Sequence, residues 1–270
     1  MKIFGRNAMR LARASLPPQT KDDPIHVRIV DIHKSYGEQH VLKGVSLDIH
    51  RGKTNLIIGP SGSGKTVLMR QLIRLERPDS GKLLVNGIDF AKLEGLELAA
   101  MRRTFGMVFQ MSALFDSMTV FDNVAFPLRE HTRLSRKDVR DRVMARLSAL
   151  GVAAAAHKLP AELSGGMQKR VAVARAMIME SEILIYDEPT TGLDPITTEM
   201  VDDLIVEAEE MFGVTSIVIS HDMASVMRIA NYLSFLHEGR IVASGTKAEL
   251  MRSEHPATAE FVRASGITLE

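Results

Sequence analysis

The sequence lacks cysteine and tryptophan altogether and contains only three tyrosines. Without cysteine the chain can form neither disulfides nor thiolate metal sites, which fits a reducing compartment. No run of residues approaches the roughly 18 apolar residues of a membrane-spanning helix, so a role at a membrane needs a partner that supplies the spans. Positive and negative charges nearly cancel, with 34 basic and 33 acidic residues, which excludes a general electrostatic attraction to nucleic acid.

The remaining composition is that of a globular protein with a substantial core, since 45% of the 270 residues are hydrophobic. Over residues 24–249, apolar runs typical of strands alternate with helical patterns, an order that favours a largely parallel sheet. The first part of this range is β-rich with an alternating pattern. Residues 111–163 are helix-prone and predict a helical subdomain inserted into the α/β core. Residues 246–270 are expected to form a short helix and a tail, and the ATPase domain is expected to end before a C-terminal segment at residues 250–270.

Residues 1–23 differ from the rest of the chain. Their basic side chains fall on one side of a helical wheel and apolar ones cover much of the other, until Pro17-Pro18 stops any helix. Such a segment can lie on an anionic membrane surface. The alternatives are a disordered tail or an over-extended start, with Met9 as a competing first residue. Charges interrupt the apolar residues, which excludes a secretory signal.

The most informative stretch is the phosphate-loop pattern G-x-x-x-x-G-K-[ST] at residues 59–66. A predicted strand precedes it and a predicted helix follows, so the helix dipole adds to the anion site. We expect Lys65 to reach the β- and γ-phosphates and Thr66 to ligate Mg²⁺. A chance match in a glycine-rich turn is the alternative, and the flanking strand and helix make it rare. The loop consists of Gly59, Pro60, Ser61, Gly62, Ser63, Gly64, Lys65 and Thr66.

Polar residues also follow two later apolar strands. Asp187 and Glu188 follow the predicted strand at residues 183–186. An apolar strand that brings an acidic residue to the phosphate loop is the second motif expected of a phosphate-loop nucleotidase. Asp187 is expected to hold Mg²⁺, and Glu188 to polarise the attacking water as general base. His221 follows the next buried strand, where it can contact the γ-phosphate or hold the attacking water. A turn or helix-cap residue is the simpler interpretation of a single histidine.

A second glycine-bearing helix start, Ser164-Gly165-Gly166, predicts another anion-binding site. A single nucleotide needs only one such loop around its phosphates. A head-to-tail pair of chains explains both, because each nucleotide would lie between the first loop of one chain and the second loop of its partner. Taken alone, the Ser-Gly-Gly sequence would indicate only a helix cap.

These motifs, in this order, resemble the ATP-binding subunits of ABC transporters over residues 25 to about 250. The resemblance implies an α/β fold: a P-loop NTPase core with a mostly parallel sheet, an N-terminal antiparallel β subdomain and an inserted α-helical subdomain. It implies ATP and Mg²⁺ as ligands, with Lys65, Glu188 and His221 in the catalytic site.

The same resemblance assigns roles to three further residues. It implies that Gln110 senses Mg²⁺, takes part in catalysis and couples to a permease. It implies that Asp194 works at the dimer interface and that Tyr36 stacks on adenine, although Tyr36 is equally compatible with a core position at a strand end. The sequence departs from the usual family pattern at Met167 and in residues 191–194, and neither departure removes a catalytic group.

Residues 111–132 contain three Phe and two Met, which suit a groove for a short helix of a permease, or else the core of the subdomain. The run ALFDSMTVFDNVAFPLREHT is similar to bacterial Mla/Mce-associated phospholipid-transport ATPases, as is Asp194-Pro195-Ile196-Thr197. That family implies an MlaE-like integral-membrane permease, an MlaD-like MCE-domain lipid-binding protein and sometimes an MlaB-like STAS-domain subunit. It also implies a peripheral location on the cytoplasmic face of the bacterial inner membrane, and phospholipid as substrate.

Other functions fit the same motifs. An importer ATPase for amino acids or another small solute differs only in residues 111–132. A soluble ABC ATPase acting on ribosomes or DNA is less favoured, because the chain has one set of motifs, no coiled coil and almost no net charge. A regulator without turnover is disfavoured by the intact Glu188 and His221. Under the transporter interpretation, two chains close on two Mg-ATP and change the access state of the permease, and residues 250–270 contact the other ATPase subunit.

Overall fold

The structure is a computed structural model that describes residues 23–264. The basic amphipathic pattern expected before residue 23 and the last residues of the tail lie outside this range. The described residues divide into two units. Residues 94–204 form the central unit, and residues 23–93 together with 205–264 form the terminal unit.

The described chain contains both strands and helices. The strands are β1 (Ile25–Tyr36), β2 (Gln39–His50), β3 (Thr54–Ile58), β4 (Ser80–Val85), β5 (Ile88–Asp89), β6 (Phe105–Phe109), β7 (Ile183–Asp187), β8 (Thr215–Ser220), β9 (Tyr232–His237) and β10 (Arg240–Gly245). The α-helices are α1 (Lys65–Leu72), α2 (Gly95–Arg102), α3 (Val120–His131), α4 (Arg136–Ala149), α5 (Gly165–Met177), α6 (Pro195–Phe212), α7 (Met223–Ile229), α8 (Lys247–Met251) and α9 (Pro256–Ala264).

The terminal unit begins with an antiparallel sheet in the order β2-β1-β4-β5. Along β1, buried Val27 and Ile29 alternate with exposed Arg28 and Val30, as the period of a half-buried strand requires. Asn86 and Gly87 form the hairpin turn that joins β4 to β5, and both have positive φ, which the tight hairpin turn demands. The expected N-terminal antiparallel subdomain is therefore present.

A second set of strands in the terminal unit carries the phosphate loop. Strand β3 pairs in parallel with β8 on one side and with β9 on the other, and β10 adds an antiparallel edge. All residues of β3 and β8 are buried, as in parallel sheets covered on both faces. The register aligns Ile58 with Ser220, so the chain leaves both strands at the same edge.

The central unit contains the other parallel pair, β6 and β7, in a register that aligns Phe109 with Asp187. Helix α5 packs against β6 at Gly106, where a Cβ atom would lie 2.4 Å from the main-chain oxygen of Ala176. Only glycine permits this approach of helix to strand. The predicted helical insertion holds α3 and α4, and Ser135 caps α4 in a capping box with Asp138.

Two local features differ from the sequence expectation. Helix α2 follows a 3₁₀ turn in a stretch for which the sequence pattern had predicted no element. The residues after 246 form two helices, α8 and α9, rather than one short helix and a tail. The reason is a tertiary contact: Phe261 of α9 packs on Phe235 of β9 with ring centroids 4.9 Å apart, which fixes a segment whose own propensity is weak.

Candidate functional site

The phosphate loop connects β3 to α1 through backbone conformations that favour glycine. Gly62 and Gly64 have φ of 78° and 108°, in the left-handed region. At Gly59 a Cβ atom would lie 2.1 Å from the main-chain oxygen of Leu236, so a side chain would displace the end of β9. Helix α1 starts at Lys65 without a side-chain cap and with no acid in its first turn. Its positive N-terminal end therefore faces the loop, as an anion site requires.

Two side chains of the loop are placed to bind phosphate oxygens. Lys65 Nζ donates to the main-chain oxygens of Gly59 at 2.7 Å and Pro60 at 3.1 Å, so its ammonium bridges the loop. The buried Ser63 Oγ has no hydrogen-bond partner among residues 23–264. Since a buried hydroxyl without a partner is unfavourable, a phosphate oxygen would satisfy it. The residues present therefore fit a bound polyphosphate.

His221 and Tyr36 belong to the same terminal unit as the phosphate loop. His221 is exposed directly after β8, and the β3–β8 register brings it to the sheet edge from which the loop leaves. The next residue, Asp222, caps α7 by accepting from Ala224 N at 3.0 Å, so the cap role belongs to Asp222 rather than to His221. Tyr36 is 43% exposed at the end of β1, which argues against a core position.

In the central unit, Gln110 and Glu188 meet at Thr191. Gln110 follows β6, and its Nε2 donates to the main-chain oxygen of Thr191 at 3.4 Å. Glu188 follows Asp187 at the end of β7 with a left-handed φ of 49°, and its Oε2 accepts from Thr191 Oγ1 at 2.9 Å. The loop after β7 thus positions the expected general base next to the expected Mg²⁺ sensor.

Sequence reasoning missed Lys169 of α5. Its ammonium is buried and donates to the main-chain oxygens of Gln110 and of Pro189, the latter at 3.2 Å. Burial lowers the pKa of Lys169 below its ordinary value. Its spacing in the sequence indicates burial, because Lys169 lies three and four residues before the apolar Ala172 and Val173 and shares their helix face.

The second predicted anion loop lies exposed at the start of α5. Ser164 caps the helix by accepting from Met167 N at 3.3 Å. Cβ atoms built at Gly165 and Gly166 would meet no described atom within 4 Å. Asp194 caps α6 in a similar way, accepting from the main-chain nitrogens of Ile196 and Thr197 at 3.0 Å each. Hydrogen bonds led by that from the Thr197 hydroxyl lower the pKa of Asp194.

A groove of about 660 Å³ opens in the central unit between β6, α2 and α3. Phe115 and Phe126, from the predicted permease-facing stretch, lie in its wall with ring centroids 5.0 Å apart. Arg175 of α5 donates to the main-chain oxygens of Ser112 at 2.9 Å and Ala113 at 2.7 Å, which fixes the chain beside the groove. The ionisable lining residues are Arg102, Arg103, Glu130, His131 and Arg175.

Among residues 23–264, no helix combines the length and the apolar character that crossing a membrane requires.

Comparison with known proteins gives relatives over most of the chain. It is 40% identical over 232 residues to the intermembrane phospholipid transport system ATP-binding protein MlaF of Escherichia coli, covering 86% of each chain. It is 35% identical over 243 residues to the probable ribonucleotide transport ATP-binding protein mkl of Mycobacterium leprae, covering 90% of this chain and 70% of that one.

Solved structures share the fold. The dimeric bacterial ABC transporter cassette MJ0796 matches with a TM-score of 0.70 and 32% identity, covering 82% of this chain and 98% of that one. A post-hydrolysis state of that cassette, bound to ADP and Pi, gives the same values. These likenesses confirm the predicted P-loop ATPase fold. The family model described as ABC transporter matches residues 42–191. The chain is therefore a member of the ABC transporter family and one of its nucleotide-binding ATPases.

Proposed function

We propose that this chain is the ATPase subunit of a transporter that moves phospholipid between the bacterial inner and outer membranes. Two copies would close on two Mg-ATP, and a separate permease would convert that closure into transport. The phospholipid assignment is supported by the 40% identity to a protein named for intermembrane phospholipid transport, which covers 86% of both chains. The stretch at residues 111–132 supports the same assignment over a small-solute importer.

The glycines of the second loop carry the two-chain mechanism. Gly165 and Gly166 have no left-handed φ, and a Cβ at either position would have open space around it within the described chain. Among residues 23–264 nothing therefore requires glycine there, although alanine would favour the helix. A nucleotide held by a second copy would explain the two glycines, because it would approach the backbone too closely for a side chain. The cap role of Ser164 is compatible with this, because its Oγ can also face a phosphate.

We propose the following roles for the residues that bind the triphosphate and Mg²⁺. The phosphate loop would hold the triphosphate through Lys65 and the N-terminus of α1. Thr66, Gln110 and Asp187 offer the hydroxyl, amide and carboxylate oxygens that Mg²⁺ prefers. Mg²⁺ would supply neutralisation of charge on the β- and γ-phosphate oxygens.

The remaining assigned residues act on the attacking water and at the interface. Glu188, held by Thr191, would take a proton from the water, and His221 would orient the water or the γ-phosphate. Asp194 and the signature loop at residues 164–166 would face the partner copy. Tyr36 would stack on the adenine ring.

The dimer mechanism is tested by the dependence of ATP turnover on chain concentration. Activity per chain should rise with concentration, and Ser164→Tyr should abolish turnover while each chain still binds Mg-ATP. Glu188→Gln should bind Mg-ATP, form a stable dimer in size-exclusion chromatography and hydrolyse almost nothing. Activity per chain that stays constant on dilution to nanomolar concentration would contradict the mechanism.

The membrane partner would dock in the groove of the central unit and hold the chain at the cytoplasmic face of the inner membrane. The partners we expect are a permease of the MlaE type, an MCE-domain protein of the MlaD type and a STAS-domain subunit of the MlaB type. Residues 24–249 would form the ATPase domain, with its helical subdomain at 111–163, and residues 250–270 would contact the second ATPase copy.

Purification of tagged chain from native membranes, followed by identification of co-purifying proteins and lipids, tests the partners and the substrate. Phospholipid and an MCE-domain protein are expected. A solute-binding protein or bound ribonucleotide in their place would favour the small-solute importer or the activity named for the mycobacterial relative. Deleting residues 250–270 should weaken the nucleotide-dependent dimer, and unchanged dimer affinity would rule out the C-terminal contact.

A further inference from the structure

The hydroxyl of Tyr36 is held by the segment that follows α1. It donates to Glu76 Oε2, and Arg70 Nη1 donates to Glu76 Oε1 at 3.1 Å. Glu76 therefore connects the ring at the end of β1 with the guanidinium of a helix residue. Ionic and hydrogen-bonded contacts of this kind restrict a side chain that is otherwise free to rotate.

Three residues away, Asp79 fixes the end of β1 from the same segment. Asp79 Oδ2 accepts from the main-chain nitrogen of Ser35 at 2.7 Å, and Asp79 Oδ1 accepts from Lys34 Nζ at 3.0 Å. The Lys34 ammonium then lies 5.6 Å from the centroid of the Tyr36 ring. The ring is thus held at its hydroxyl and beside its π-face, and it is still 43% exposed, which leaves surface for a planar base.

Glu76 is itself fixed to α1. The main-chain oxygen of Arg70 accepts from the nitrogens of Leu75 at 2.9 Å and Glu76 at 3.4 Å, so the turn after the helix is closed on the helix. Arg70 lies five residues after Lys65, which corresponds to about 7.5 Å along a helix axis. The positions of the Tyr36 ring and of the phosphate loop are therefore both fixed relative to α1.

We infer that Glu76 is a positioning residue for the nucleotide base, and that it holds Tyr36 in the orientation that stacks on adenine while α1 holds the phosphates. This inference rests on the proposed function, since it needs Tyr36 to contact the base. Fixing the ring before binding reduces the ordering cost of association, so the tether should appear as affinity for the base and not for the phosphates.

The charge states agree with this arrangement. The hydrogen bond from Tyr36 lowers the pKa of Glu76, and the same hydrogen bond raises the pKa of Tyr36. At neutral pH the carboxylate is therefore an acceptor and the phenol a donor. Tyr36→Phe removes the donor and keeps the stacking ring, which separates the tether from the stacking itself.

The experiment compares two ligands on the full chain by calorimetry: Mg-ATP, and Mg-tripolyphosphate, which has the phosphates without the base. Glu76→Ala and Tyr36→Phe should each weaken Mg-ATP binding about three- to ten-fold and leave tripolyphosphate binding unchanged. The double variant should be no weaker than either single variant, because both remove one interaction. Glu76→Gln retains an acceptor and should recover most of the affinity.

Asp48→Asn is the matched control, since Asp48 forms an exposed ion pair with Arg28 at 3.0 Å on the same antiparallel sheet. This substitution should leave the affinities for Mg-ATP and for Mg-tripolyphosphate unchanged. Equal weakening of both ligands by Glu76→Ala and Glu76→Gln would show a general structural role and overturn the inference, as would fully multiplicative effects in the double variant. Failure of the parent chain to bind Mg-ATP at all would instead refute the proposed nucleotide function.

Discussion

Lys169 donates a hydrogen bond from its buried ammonium to the main-chain oxygen of Pro189 at 3.2 Å, and the same ammonium donates to the main-chain oxygen of Gln110. One side chain of α5 thereby fixes the chain beyond both β6 and β7. The acceptors are carbonyl dipoles, and burial lowers the pKa of Lys169. A rotation of α5 on dimer closure would be transmitted through this ammonium to the residues that flank Glu188 and Gln110.

Lys169→Met should reduce the kcat of ATP hydrolysis at least ten-fold and change the KM for ATP less than two-fold. The reason is that the substitution leaves the phosphate loop intact but removes the hydrogen bonds that fix the segments after β6 and β7. Leaving two carbonyl groups without a donor should also cost about 1–3 kcal/mol of stability. Steady-state kinetics and thermal unfolding measure both effects. Lys169→Arg should restore part of kcat, and Lys158→Met, at an exposed lysine of the same unit, should behave as the parent.

Gly106 and Gly166 should respond oppositely to alanine. At Gly106 the new Cβ would meet the oxygen of Ala176 at 2.4 Å and a methyl of Leu184 at 2.7 Å, so Gly106→Ala should destabilise the fold by about 2–3 kcal/mol. At Gly166 no described atom is near, and alanine should stabilise α5 by up to about 1 kcal/mol.

The measurement pairs unfolding free energy with ATP turnover for both variants. Gly166→Ala should be a stable protein with strongly reduced turnover, because in the proposed mechanism this glycine leaves room for a nucleotide held by the partner copy. A stable Gly166→Ala variant with full activity would remove the argument for close approach at this loop.

The sequence predicted the α/β order well because strong local signals and tertiary structure agree in this part of the chain. Strand β3 is an apolar run that ends in a glycine loop, and the α4 boundary is marked by Ser135. Helix α2 was missed since its boundary has neither a capping side chain nor a clear apolar stripe. Helix α9 was underestimated, as it depends on the contact of Phe261 with Phe235, and a sequence window cannot show contacts between distant residues.

The sequence predicts those candidate site residues that belong to a contiguous motif. It does not predict the contacts that form only when distant residues pack together. Spacing marks the phosphate loop and Asp187-Glu188 directly. The contacts of Thr191 with Gln110 and Glu188 and the tether at Glu76 join residues that are far apart in sequence. Lys169 looks like any basic residue of a helix until its burial is known.

The groove of the central unit should bind an acidic amphipathic segment of the membrane partner. Its lining sets the charges of three arginines against the single carboxylate of Glu130, around an apolar floor. Reversing one charge, in Arg103→Glu, should reduce co-purification of the permease at least five-fold, with ATP binding by the isolated chain unchanged. Arg136→Glu, at an exposed position of α4, is the matched control. Equal recovery of permease with both variants would place the docking surface elsewhere.

Lowering the pH should reduce the stability of the fold through protonation of His131 in the groove wall. Partial desolvation of the exposed His131 ring, and next the charge of Arg103, lower the pKa of His131 below its ordinary value of 6.5, so the folded state favours the neutral ring. The stabilisation is complete above pH 6.5 and is lost as the pH falls through that value toward the lowered pKa. His131→Gln keeps a polar side chain that does not titrate, so its melting temperature should fall less between pH 7.5 and 5 than that of the parent. Both proteins contain the same other histidines, which makes the difference between the two slopes the diagnostic quantity. Identical slopes would show that His131 has the same pKa in the folded and unfolded chain, and a steeper slope for the variant would reverse the sign of the argument.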